Sequence, residues 1–139
     1  MAFVAGAILP IQAGLNAKLG KAGGSAIHAS MISFVVGLVG LILYILITQQ
    51  QVSIAGLKAT PMHVWLGGLL GAFYVSVVVL AFPHLGPSLT FGLIIAGQLI
   101  ISLLLEHFNI LVAQASSLNV YKIIGVLLII VGVVIIKKH

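Results

Sequence analysis

What most constrains this chain is the grouping of its apolar residues into five runs. Each is close to the roughly 17–25 residues that a helix needs to cross a bilayer. The runs extend from Ala2 to Ala17, Ile27 to Ile47, Val64 to Phe82, Ser88 to His107 and Val120 to Ile136. Between them stand Lys18, Lys21 and the Gly23-Gly24 turn, the polar "TQQQ" with Lys58 and Pro61, the breaker "PHLGPS", and the loop "NILVAQASSLN". Two prolines and a glycine within six residues cannot continue one regular helix. Strands are excluded as well, since backbone groups in lipid must be satisfied internally and five strands cannot close a barrel. The expectation is an all-α integral membrane protein with five transmembrane helices in a single domain over residues 1–139. A count of four spans, with the short first segment re-entrant, is the alternative. Composition agrees: 62% of the 139 residues are hydrophobic and 5% are charged. A soluble domain carries about a quarter charged residues, so lipid must be the solvent for most of this surface.

Five spans place the termini on opposite membrane faces. The C-terminal side then collects Lys18, Lys21, Lys137 and Lys138, and the other side Lys58 and Lys122. Four against two favours a cytoplasmic C-terminus by the positive-inside rule. So small a bias has two open readings: one orientation with a modest signal, or insertion both ways with antiparallel pairing. The lysines stand singly or in pairs at the ends of apolar runs, where side chains snorkel to the interface, which argues against nucleic-acid binding. The chain has no cysteine, hence no disulfide framework or thiolate site. No basic residue precedes the first run, so a cleaved signal peptide is not expected.

Polar residues inside the runs are the candidate functional groups. Gln12 and Asn16 are spaced i, i+4 on one helical face, and Pro10 is expected to bend the helix and free a carbonyl near Gly6. Such amides can glue helices together or line a translocation cavity. In the fourth run Gln98, Ser102 and Glu106 share a face that lipid would not tolerate. Glu106 is the only acid in the chain. It is either a proton-coupling carboxylate or a hydrated group at headgroup depth. Ser33, Gly37, Gly40 and Tyr44 form a small-residue ridge in the second run. Gly67 and Gly71 have GxxxG spacing, and Gly125 and Gly132 share a face in the fifth run; packing is the expected role of all three sets. Tyr74 could present its hydroxyl to a cavity, whereas Trp65 suits an interface anchor.

The five histidines fall near segment ends with no metal-ligand spacing, so no metal site is expected. No nucleophile–base–acid set and no phosphate-binding loop is present, and nothing calls for a cofactor, so an enzyme is not expected.

The stretches "LPIQAGLNAKLG", "ISFVVGLVGLILY", "WLGGLLGAFYVSVVVLAFPHLGPSLTFGLIIAGQLIISLLLEHF" and "GVLLIIVGVVIIKK" together resemble the YdcZ-like family of the drug/metabolite transporter superfamily. The likeness covers nearly the whole chain. It implies a five-helix half-transporter in the inner membrane, acting by alternating access as an antiparallel homodimer equivalent to a ten-helix inverted-repeat transporter, or with a paired homologous chain. Dual topology would explain the weak lysine bias. In such transporters the substrate path lies between the halves near the midplane. The resemblance therefore implies substrate-binding roles for Gln12 and Asn16, faced by Gln98 and Ser102, with Ser33 and Tyr74 as further candidates. The small multidrug exporters of the superfamily carry an acid in the first helix; this chain has amides there, which suits a neutral or zwitterionic metabolite. The expectation from another class is a non-transporting membrane subunit that packs on and stabilises a partner, supported by the small-residue ridges.

Overall fold

A computed structural model describes residues 1–112 and 118–138. Part of the loop expected at 109–119, and His139, lie outside the described residues. The described chain is all-helical. Its elements are α1 (Ala2–Gly23), α2 (Ala26–Thr48), a short α3 (Ile54–Ala59), a 3₁₀ turn (Met62–Leu66), α4 (Gly67–His107) and α5 (Val120–Lys138). Four helices are long and apolar enough to cross a membrane among the described residues. The chain packs as two units, 1–84 and 85–139.

The first helix is longer than the apolar run that seeds it. α1 continues past Ala17 through both lysines to Gly23, 22 residues in all, with Pro10 inside. Lysine is a good helix former, so Lys18 and Lys21 mark the membrane edge without ending the helix. Termination comes from Gly24, whose φ of 71° lies in the left-handed region that glycine enters without penalty. Pro10 has no N–H, so the Gly6 carbonyl one turn earlier lacks its usual donor. Ser25 then caps α2, its Oγ accepting from the His28 amide at 3.3 Å, which satisfies one of the orphan donors of the first turn.

Two residues of connection fold α1 and α2 into a hairpin. Gly20 lies against Ala26 and Ala29, where an added Cβ would stand 3.3 Å from the Ala26 backbone. Ala13, Asn16 and Gly20 are the buried positions of α1, and Ala29 and Ser30 those of α2. Ser30 satisfies its hydroxyl by donating to the Ala26 carbonyl at 3.0 Å. Beyond this closed end α2 is exposed along nearly its whole length, as befits a helix whose solvent is lipid.

The connection from Thr48 to Gly67 holds more order than its polarity suggests. Ser53 accepts from the Gly56 amide at 3.2 Å and so starts α3, a helix of 6 residues with no counterpart in the sequence reading. α4 carries the other departure. A straight helix of its 41 residues would measure about 60 Å, twice the hydrocarbon thickness. It is broken at one residue only, Gly86, with φ 75° and ψ 165°. The two apolar runs leave residues 83–87 between them as the expected interruption; the prolines instead stay within helix. Pro87 opens the following arm, where its missing N–H is no loss, and Pro83 lies in the last turns of the preceding one. Residues 67–85 and 87–107 thus form two arms of α4.

In the second unit, α5 is capped by Asn119, whose Oδ1 accepts from the Lys122 amide at 2.9 Å. The second arm of α4 meets α5 at Gly92, where an added Cβ would come within 2.9 Å of Val133 Cγ2. Packing glycines are therefore Gly20 and Gly92, with Gly14 against Phe82 and Gly71 against Phe34. A Cβ at Gly37, Gly40, Gly67, Gly125 or Gly132 would meet no described atom within 4 Å. The ridges read as packing surfaces on α2 and α5 are left open.

Candidate functional site

The hairpin places three of the candidate residues together. Asn16 is buried on α1, and its Nδ2 donates to Ser33 Oγ on α2 at 3.1 Å. The pair lies one turn of each helix beyond the Gly20–Ala29 contact, so it is the first polar bond above the tightly packed end. Its exchange of one donor and one acceptor fixes the helices' rotation as well as their distance. Ser33 retains its own proton to donate.

Gln12 lies one turn further along α1, on the Asn16 face, but in a different environment. It is exposed and makes no hydrogen bond among the described residues. Its side chain lines a cavity of about 350 Å³ with Ser33, Phe34, Gly37, Leu38 and Leu41, within the range of small-molecule sites. Gly37 leaves the α2 wall bare of side chain opposite Gln12. The result is an apolar groove with one free amide and one serine hydroxyl at its base. It can donate to and accept from a polar solute, and it carries no charge and no titratable proton.

The remaining candidates fall elsewhere. Tyr74 stands on the first arm of α4, its hydroxyl enclosed and without a hydrogen-bond partner among the described residues, and it does not line the Gln12 groove. A second cavity of about 500 Å³ lies between α2 and that arm, bounded by Ser30, Phe34, Ala72 and Ser76 among others. In the second unit Gln98 and Ser102 are exposed, a polar stripe on a membrane helix. Glu106 is engaged: its Oε2 accepts from Lys122 Nζ at 2.6 Å, with 35% and 28% of the two side chains exposed.

Sequence reasoning passed over three groups. Phe34 lines both the Gln12 groove and the cavity between α2 and the first arm of α4, yet a phenylalanine in an apolar run carries no signal of its own. Thr90 is 3% exposed with an unpartnered hydroxyl among the described residues. Its back-bonding acceptor would be the carbonyl of Gly86, where the helix is broken. Lys122 was read as a topological charge; its pairing with Glu106 joins elements 16 residues apart and no helical spacing foretells it. Among the described residues there is no group of three or more His, Asp or Glu side chains that could hold a metal ion.

A family model described as a putative inner membrane exporter, YdcZ, matches residues 1–135. No curated protein and no solved structure matches the chain.

Proposed function

Since the chain belongs to the YdcZ family of inner-membrane transport proteins, we propose that it carries small polar solutes that are neutral or zwitterionic, bound at Gln12, Asn16 and Ser33. The observation that supports this most is the division of labour between the two amides. Asn16 donates across the α1–α2 bond, whereas Gln12 makes no hydrogen bond among the described residues and lines an open groove. An amide without a protein partner at membrane depth is costly, and a solute would supply the missing partner. Pro10 adds a free Gly6 carbonyl to the same helix.

The transporting unit we propose is an antiparallel homodimer working by alternating access, with a homologous chain of opposite orientation as the other possible partner. Two features support it. The glycine ridges on α2 and α5 are open, and small residues are what membrane helices use to approach closely. Gln98 and Ser102 form a polar stripe that needs water, solute or another chain against it. Tyr74 stays a candidate solute contact in the first unit because its enclosed hydroxyl lacks a partner among the described residues. The open ridges would serve a non-transporting subunit equally well. The purified protein alone in liposomes separates the two readings, since only a transporter equilibrates solute unaided. Exchange of neutral and zwitterionic solutes is expected for the wild type and is lost in Gln12→Ala and Asn16→Ala. Unchanged exchange in both variants removes the amide site.

A further inference from the structure

The two lysines at the end of α1 stand at the rim of a third cavity, of about 450 Å³, where α1 turns into α2 and the first arm of α4 ends. Its wall is largely apolar, formed by Ala17, Leu80, Phe82 and Pro83, among others, and Lys18, Lys21 and Ser25 are its polar lining. The lysines are three residues apart, hence on one side of the helix, and both are exposed. No acidic side chain answers them: residues 1–84 contain no Asp or Glu, and the one acidic side chain of the sequence, Glu106, is bound to Lys122 at 2.6 Å.

We propose that this corner binds an anionic phospholipid, the phosphate on Lys18 and Lys21 and an acyl chain along the wall by Leu80 and Phe82. The cavity is amphipathic in the same sense as the ligand. Its cations lie where an apolar helix leaves the membrane, and basic pockets between membrane helices favour anionic headgroups. A free inorganic anion would use the lysines and leave the apolar wall without purpose.

The full-length protein in phosphatidylcholine nanodiscs, titrated with spin-labelled phosphatidylglycerol, tests this. Each lysine near the surface contributes about fivefold to anionic lipid binding, so Lys18→Gln with Lys21→Gln is expected to weaken it about 25-fold. Lys137→Gln with Lys138→Gln removes the same charge at the end of α5 and is expected to leave binding within twofold. Leu80→Trp, which narrows the wall and keeps both lysines, is expected to reduce the immobilised lipid fraction. Equal losses in the two lysine pairs would mean diffuse surface attraction and overturn the site. Displacement of the lipid by millimolar inorganic phosphate, or full retention in Leu80→Trp, would overturn the lipid as its ligand.

Discussion

Gln12 and Asn16 repeat at helical spacing, and sequence alone treats them as equivalents. Folding separates them, because α2 covers one and not the other. Substitution should therefore divide stability from transport. Gln12→Ala removes no bond and is expected to leave unfolding in detergent unchanged while lowering solute exchange at least tenfold. Asn16→Ala breaks the bond to Ser33 and is expected to cost about 0.6 kcal/mol, the average for hydrogen bonds between membrane helices, as well as exchange. Denaturant unfolding of the two variants beside liposome exchange checks the split. The i, i+4 relation was legible because it is local. Burial was not, since it depends on what sits across the hairpin. Glu106 teaches the same lesson, as its isolation in the sequence hid its bond to Lys122. With both groups about a third exposed, Glu106→Gln is expected to cost under about 1 kcal/mol and to leave the ratio of exchange rates at pH 6 and pH 8 unchanged. A ratio that moves to one in Glu106→Gln would instead make Glu106 the coupling acid.

At the scale of elements, the apolar runs located the long helices, with α2 and α5 bounded to within two residues, and fell short at the end of α1. α1 outlasts its run because lysine tolerates helix, and only Gly24 stops it. The break in α4 narrows to Gly86 because Pro87 stands in the first turn of the arm it opens, where proline is permitted, while the conformation at Gly86 is one that other residues essentially do not adopt. α3 escaped notice because six residues make no periodic pattern. Among the glycines, spacing pointed to Gly37, Gly40, Gly67, Gly71, Gly125 and Gly132, and of these only Gly71 is packed against by the described residues. The tightest approach, Gly92 on Val133, has no motif. Gly92→Ala is expected to loosen α4 on α5 by about 1–3 kcal/mol, the cost of overpacking. Val133→Ala should recover part of it by withdrawing the Cγ2 atom concerned. Gly132→Ala, one residue away, meets open space and is expected to be neutral for the isolated chain. A double-mutant cycle on unfolding free energy checks the pair, and additive costs for Gly92→Ala and Val133→Ala would show that the contact is not what limits this seam.

For the whole molecule the question is what covers the open surfaces. The α2 and α5 glycine ridges and the Gln98–Ser102 stripe are poor matches for lipid: glycine offers acyl chains little contact, and amides offer them unsatisfied dipoles. A second copy in the opposite orientation would present the same features and could answer both. Such a copy requires that the chain insert both ways, and the lysine distribution permits it. Lys18, Lys21, Lys137 and Lys138 outweigh Lys58 and Lys122 only four to two, a bias small enough to be compatible with insertion both ways as well as with one orientation. The absence of cysteine makes the orientation measurable with a single His139→Cys substitution and an impermeant thiol reagent applied to sealed cells. About half the chains are expected to label from outside. Adding two lysines beside Lys58 should equalise or reverse the bias, whereas two beside Lys137 should enforce one topology and abolish exchange by the homodimer. Uniform labelling of the unmodified distribution would end the antiparallel homodimer. It would leave the open ridges to a chain of fixed, opposite orientation, in which case co-expression with that chain, and not the protein alone, should restore exchange.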